Sequence, residues 1–272
     1  MIGVCLVGRL GNQLFQYAFA MAVAEKYKTF YIIDNDHKND NVKKYFTTNV
    51  LLNNKISRGL YKKFLFGRQP YIHQIGHELV STMVPLIKDN CYYKGFFQSE
   101  LYFQLIQNSI KKKLRVRPVF EKAFAEKYGH LFGKKVLAIH YRLGDYLTWG
   151  NEAWGGANMS LPENYYLEAL NQITALQTFT IILVTDDPEN VAHKLPWLTN
   201  KIVISDTEIM DLQLLMHADK LIISNSSFAW WGAYLNKKNA TVFAPENWLG
   251  FKVGREMPDF VIPDSFTKIK VR

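Results

Sequence analysis

The sequence predicts a parallel α/β fold made of two Rossmann-like halves facing across a cleft. Three observations predict it. Short apolar runs alternate with helical patterns along the chain, which is the rhythm of strand, crossover and parallel strand. The rhythm passes through one irregular stretch and restarts near residue 136, so the expected domains are 1–133 and 134–272. Several apolar runs end in clusters of glycine, hydroxyl or charged residues that feed a helix, and open α/β sheets collect their ligands at such strand ends. A chain of 272 residues is long enough to bury one large core or two medium ones.

Taken in order, residues 2–7 read as a strand, 8–12 as a glycine turn, 12–26 as a helix and 29–33 as a second strand, which together make one βαβ opening. Residues 37–70 are polar, basic and poorly periodic. A strand is expected over 91–97, and a helical stretch over 99–115. Residues 117–135, with Pro118, Gly129 and Gly133, look like the passage between halves. The second half reads as strand 136–141, helix 162–177, strands 179–185 and 201–205, helix 208–218, strand 220–224, helix 228–236 and strand 240–244.

Composition narrows the class. Apolar residues make up 48% and charged residues 21%, the balance of a globular chain rather than a disordered one. No apolar run approaches the length of a membrane span. The opening MIGVCLVGRLGN lacks a basic n-region, so no signal peptide is expected. Two cysteines supply neither a disulfide framework nor a zinc set; Cys5, in an apolar strand, is expected to be a buried thiol in a reducing, cytoplasmic setting.

The net charge of +9 suits an anionic partner. From Lys43 to Arg68 there are seven basic residues and no acidic one, interleaved with Tyr45, Phe46, Tyr61, Phe64 and Phe66. Lys111 to Arg117 forms a second basic cluster. A solvated face explains both. The functional options rank as peripheral contact with an anionic membrane on its inner face, then an acidic acceptor, then nucleic acid, for which no recognisable module is present.

The most informative stretch is 220–236, KLIISNSSFAWWGAYLN. An apolar run stops at Ser224, Asn225, Ser226 and Ser227, and a short helix begins. A helix start offers free N–H groups and the positive end of a dipole, and nearby hydroxyls add donors, so such a junction suits phosphate. An ordinary serine cap with tryptophans in the core explains the same letters. The stretch 136–146, VLAIHYRLGDY, is a second junction, delivering His140, Arg142, Asp145 and Tyr146 at the end of an apolar run. An arginine fork donates two parallel hydrogen bonds and keeps its charge, which fits a diphosphate. Asp145 is placed either to hold that guanidinium or to cap the turn.

Other motifs are weaker. Gly8-Arg9-Leu10-Gly11-Asn12-Gln13 is a glycine turn short of the dinucleotide fingerprint, and Asp34 could stand for the ribose-binding acid of a nicotinamide-dependent oxidoreductase. Arg9 and Asn12 are polar where a cofactor loop is normally bare. Asp34-Asn35-Asp36 matches the short metal pattern D-x-D, and His73 and His77 stand four apart, but neither signal is specific. Asp186-Asp187 follow the strand Thr180 to Thr185 at the carboxyl end where ligands sit, and with Pro188 next a capped turn explains them as well. Asp211 reads either as a first-turn acid complementing its helix dipole or as a carboxylate whose two acceptors match the adjacent donors of guanine. A non-catalytic protein that binds surfaces through the basic stretch is the remaining alternative.

At GRLGNQLFQYAFA (8–20), GFFQSELYF (95–103), HYRLGDY (140–146), TDD (185–187) and SNSSFAWWGAYL (224–235) the chain resembles the bacterial α-1,2-fucosyltransferases, glycosyltransferase family eleven. The resemblance implies a GT-B fold, GDP-fucose as donor, a galactose-terminated glycan or lipid-linked oligosaccharide as acceptor, inversion at the anomeric carbon, and no required metal or other cofactor. It implies that Arg142 binds the diphosphate, that His140 lies near the nucleoside, and that Ser226, Ser227 and the Phe228 backbone meet the β-phosphate. Asp211 is similar in placement to the guanine-reading acid of related fucosyltransferases. Asn12, with Arg9 and Gly11, matches the turn on the acceptor or fucose side, so the resemblance makes 1–133 the acceptor-side domain and 134–272 the GDP-fucose-binding one, with Arg142 and Asn12 as the expected catalytic residues. Leu143 stands where many relatives have a second arginine and Ala229 where many have serine, so Arg142 carries the diphosphate charge largely alone. Asp145 and Glu152 are the carboxylates nearest the site in sequence, and neither is named as the base.

Overall fold

A computed structural model describes residues 1–34, 40–48, 59–60, 72–74, 79–191 and 193–272. In it the chain forms two units: Met1–Arg117 with Pro258–Val261, and Pro118–Met257 with Ile262–Arg272.

In the first unit, strands β1 (Ile2–Cys5), β2 (Tyr31–Asp34), β3 (Ile72–Gln74) and β4 (Tyr92–Gly95) form a parallel sheet in the order β2-β1-β4-β3. Helix α1 (Leu10–Lys26) carries the chain from β1 to β2. It is buried on nearly every side, as expected of a helix apolar all round. Of its two buried glutamines, Gln16 bonds both the N–H and the carbonyl of Val7 and the carbonyl of Gly95. One amide thus satisfies backbone groups at the ends of two strands, which a buried chain must do.

The helical stretch expected over 99–115 is broken into shorter turns: 3₁₀ turns at Glu100–Tyr102 and Gln104–Ser109, then an α-turn at Ile110–Lys113. Ring packing overrides the helical pattern here. Tyr102 packs edge-on against Phe19 and Phe97, and the adjacent Phe103 lies against Phe15. Cys5 is half-buried rather than buried, because β1 turns it away from the fully buried Ile2 and Val4.

The division falls at 117/118, ahead of the expected 133/134. Helix α2 (Pro118–Tyr128) accounts for the difference, because it packs on the second unit. Phe124 stacks on His217 with ring centroids 4.8 Å apart, and the Gln213 amide donates to the Phe120 carbonyl at 3.2 Å.

The second unit holds β5 (Val136–Tyr141), β6 (Thr180–Thr185), β7 (Lys201–Ile204), β8 (Lys220–Ile222), β9 (Thr241–Pro245) and β10 (Thr267–Ile269). All six are parallel, in the order β7-β6-β5-β8-β9-β10. Helices α3 (Glu163–Asn171), α4 (Glu208–Met216) and α5 (Ser227–Tyr234) join them. Leu137, Ile139 and Tyr141 point into a core with Tyr165, Tyr166 and Leu183. Sheet order reverses at β5, with β6 and β7 on one side and β8 to β10 on the other. Crevices outside the carboxyl ends of strands at such a reversal are where open α/β sheets hold ligands.

Candidate active site

Side chains alternate along β5, so the residues facing away from Leu137, Ile139 and Tyr141 include His140. It is buried, and its Nδ1 lies 2.8 Å from the Ser224 hydroxyl beyond the end of β8. Burial pushes its pKa down to about 3, and the neighbouring Arg142 charge pushes the same way. The ring is therefore neutral at physiological pH and positions without adding charge. It sits tilted against Phe228 in the first turn of α5, with centroids 5.8 Å apart.

Arg142 follows directly after β5. Its Nη2 donates to Asp145 Oδ1 at 2.6 Å, and its Nη1 lies 3.1 Å from Asp186 Oδ2. The guanidinium carbon lies 5.2 Å from the Tyr146 ring centroid. Its buried Nε has no hydrogen-bond partner. Asp186, just past β6, also accepts the Leu143 N–H at 3.1 Å. Gly144, at φ +24°, lies so close that a Cβ there would run into the Asp186 carboxylate. Asp186 is thus pinned on two sides, whereas Asp145 sits in a surface turn with its side chain 48% exposed.

Ser226 has extended backbone ahead of α5, and its side chain makes no cap bond. The serine-cap explanation of this junction therefore does not apply to Ser226. The segment before it is braced from behind. Tyr165 donates to the Ile223 carbonyl at 2.6 Å, the Asn225 amide donates to the Met159 carbonyl at 3.0 Å, and Tyr146 donates to the Asn225 carbonyl at 3.2 Å. Ser227 and Phe228 begin the helix, where backbone N–H groups have no partner within the helix. The contacts of His140 with Ser224 and Phe228, and of Tyr146 with Asn225, join the two polar junctions at the reversal of the sheet. The result is one guanidinium and one helix start at adjacent strand ends, a set of donors suited to a diphosphate.

Asp211 lies in the first turn of α4, beyond β7 and two strands from β5. Both its oxygens accept the Asp206 N–H, at 3.1 and 3.2 Å. Burial raises its pKa to about 7, with the Asp206 charge adding to the rise. Asp206 is itself bonded by Lys127 and by the Tyr128 hydroxyl, each at 2.7 Å.

In the first unit, Gly8 adopts φ +78°, and a Cβ there would collide with the Asn12 side chain. Glycine is required where the turn and Asn12 come this close. Arg9 opens α1 without a side-chain cap, Gly11 is buried, and the Asn12 carbonyl oxygen accepts from the Gln98 amide at 2.8 Å. Asp34 is buried and accepts the Tyr92 hydroxyl at 2.6 Å, so the acid on which a nicotinamide reading relies is engaged in the core.

Sequence reasoning left Asp186 and Asp187 between a ligand-side strand end and a capped turn, and named neither as a site residue. Only Asp187 caps the turn, accepting the Asn190 N–H at 3.2 Å. The carboxyl end of a buried strand marked the place, but the pairing with Arg142 depends on Thr185 lying beside Tyr141 in the sheet. Gln98, within the quoted stretch 95–103, was also passed over. Asn35, Asp36 and His77, the His73 side chain, and most of 43–68 lie outside the described residues. Among the described residues, no three His, Cys, Asp or Glu are grouped to hold a metal ion, and no helix is long and apolar enough to cross a membrane.

The family model described as glycosyl transferase family 11 matches residues 1–255. The chain belongs to glycosyl transferase family 11. This family 11 chain is 23% identical over 290 residues to the O-antigen biosynthesis glycosyltransferase WbnK of Escherichia coli, covering 90% of this chain and 93% of that one. It is also 23% identical over 266 residues to an α-1,2-colitosyltransferase of Escherichia coli, with 89% and 90% covered. Among solved structures, NodZ α-1,6-fucosyltransferase soaked with GDP-fucose matches with a TM-score of 0.54 at 12% identity, covering 86% of this chain and 92% of that one. The fold is of the GT-B type. With the family 11 glycosyltransferase identified, the nicotinamide-dependent and non-catalytic readings are set aside.

Proposed function

We propose that the chain moves L-fucose from GDP-fucose to a sugar hydroxyl, the 2-hydroxyl of a terminal galactose on a free or lipid-linked glycan, in the cytoplasm and with inversion. One observation carries this reading: Arg142 and the helix start at Ser226, Ser227 and Phe228 belong to interlocked loops at adjacent strand ends. The similarity to NodZ, an α-1,6-fucosyltransferase soaked with GDP-fucose, supports the donor, and the names of the two Escherichia coli relatives support a glycan acceptor.

As the bond from the fucosyl carbon to the diphosphate breaks, the sugar becomes oxocarbenium-like and negative charge grows on the departing phosphate. Arg142 and the first amides of α5 meet that charge, which is the role a metal ion fills elsewhere. His140 packs beside the nucleoside, and Asp211 reads guanine. Asn12, oriented by Gln98, faces the sugar. Asn12 is too weak a base to act alone, and Asp145 is bonded to Arg142. A dissociative transition state asks little of a base.

Incubation with GDP-fucose and a panel of galactose-terminated glycans, with products read by mass and linkage, tests the reading. Fucosylated product is expected, at a rate unchanged by EDTA. Transfer from GDP-mannose or UDP-sugars but not GDP-fucose would overturn the donor. Loss of activity in EDTA, restored by a divalent cation, would overturn the metal-free mechanism.

A further inference from the structure

We propose that the exposed aromatic hairpin after Arg142 is the acceptor subsite, where Trp149, supported by Trp154, stacks on the apolar face of the accepting hexose. The proposal rests on the transferase reading above and adds the surface that receives the sugar.

Indole side chains are usually withdrawn from water, yet Trp149 is 39% exposed and Leu147 is 43% exposed. Trp149 belongs to a run of rings that starts at the diphosphate arginine. Arg142 lies over Tyr146, Tyr146 lies 5.2 Å from Trp149, and Trp149 meets Trp154 edge-on at 4.8 Å. A sugar on Trp149 is therefore two ring steps from the guanidinium expected to hold the leaving group. That is the neighbourhood an accepting hydroxyl must reach.

The platform is built rather than loose. Gly150–Asn151 pairs antiparallel with Gly156–Ala157. Gly150, at φ +145°, lies against the Gly156 carbonyl with no room for a Cβ, and Gly155 closes the turn at φ +88°. The Asn151 side chain accepts the Trp154 N–H at 3.2 Å, and Lys252 donates to the Ala157 carbonyl at 2.5 Å. A fixed indole face suits a pyranose whose C–H groups lie together on one side, as in galactose, while Asn151 and Glu152 offer polar groups at the rim.

Two measurements on the full chain test this. With GDP present, a galactose-terminated oligosaccharide is titrated while the indole N–H signals of Trp149 and Trp154 are followed by NMR, which needs no turnover. Both signals are expected to shift. Kinetically, Trp149→Ala is expected to raise the acceptor KM about tenfold with GDP affinity unchanged, and Trp149→Phe to keep most of the wild-type value. Indole signals that ignore the saccharide, or that respond only to anionic lipid vesicles, would overturn the subsite. An unchanged acceptor KM in Trp149→Ala would overturn it as well. If both indoles respond to the saccharide but GDP-fucose yields no product, the donor assignment fails and the subsite stands.

Discussion

Replacing Arg142 by alanine is expected to lower kcat with GDP-fucose by about a hundredfold to a thousandfold, the loss typical when one preorganised donor to a developing anion is removed. The effect should be large because the neighbouring Leu143 offers no second cation and contributes only its backbone N–H, to Asp186. Arg142→Lys is expected to fall between alanine and wild type. A lysine keeps the charge but cannot grip two carboxylates and a phosphate with one planar fork. Steady-state kinetics read both variants, and a thermal melt checks the fold. Wild-type turnover in Arg142→Ala would remove Arg142 from the mechanism. The free protein already neutralises this guanidinium with Asp145 and Asp186. An arriving diphosphate must then displace the more exposed Asp145 or bind at the unpartnered Nε, while Asp186 keeps the side chain aimed.

The second large effect is a pH dependence of GDP binding. Guanine presents two adjacent donors, and only ionised Asp211, with both oxygens as acceptors, can take both. With a pKa of about 7 in the free protein, about half is ready to bind at that pH and about a tenth one unit below it. GDP should bind about tenfold more weakly near pH 6 than near pH 8. Asp211→Asn should bind weakly throughout, leaving only the shallow profile of the nucleotide's own phosphate. Calorimetric titration of both proteins across this range decides the matter, and identical profiles would remove Asp211 from the guanine site. The stability of the free protein moves in the opposite sense. The folded carboxyl has the higher pKa, so folding gains from its proton at low pH. That contribution disappears as pH rises from the unfolded value of 3.8 through about 7.

Much of this arrangement was legible in the letters because it is local. A buried strand that ends in His140 and Arg142, and another that ends in Ser224 to Ser227, are visible as apolar runs with polar stops. What was not legible lies in contacts across the sheet. Asp186 pairs with Arg142 because β6 lies beside β5 in register, a fact of strand order that neither segment carries alone. Asp34 sits at a strand end that suits a ribose, yet Tyr92 on β4 takes it into the core. The strand expected to run to residue 224 stops at Ile222, where the chain turns toward His140. The helix expected over 162–177 ends at Asn171, and Ala175 soon takes a left-handed conformation. Tertiary packing overrides local pattern in each case.

The short segment Pro258–Val261 returns to the first unit after the second is almost complete. There Asp259 accepts the Val80 N–H at 2.6 Å, and the Phe260 carbonyl accepts the fully buried Ser99 hydroxyl at 2.7 Å. A fragment ending at 117 would strand that hydroxyl at a cost of about 1–3 kcal/mol. Exchanging halves between relatives by a single crossover therefore mismatches this four-residue strap, and a working chimera needs a second junction that lets the strap travel with the amino-terminal partner it serves.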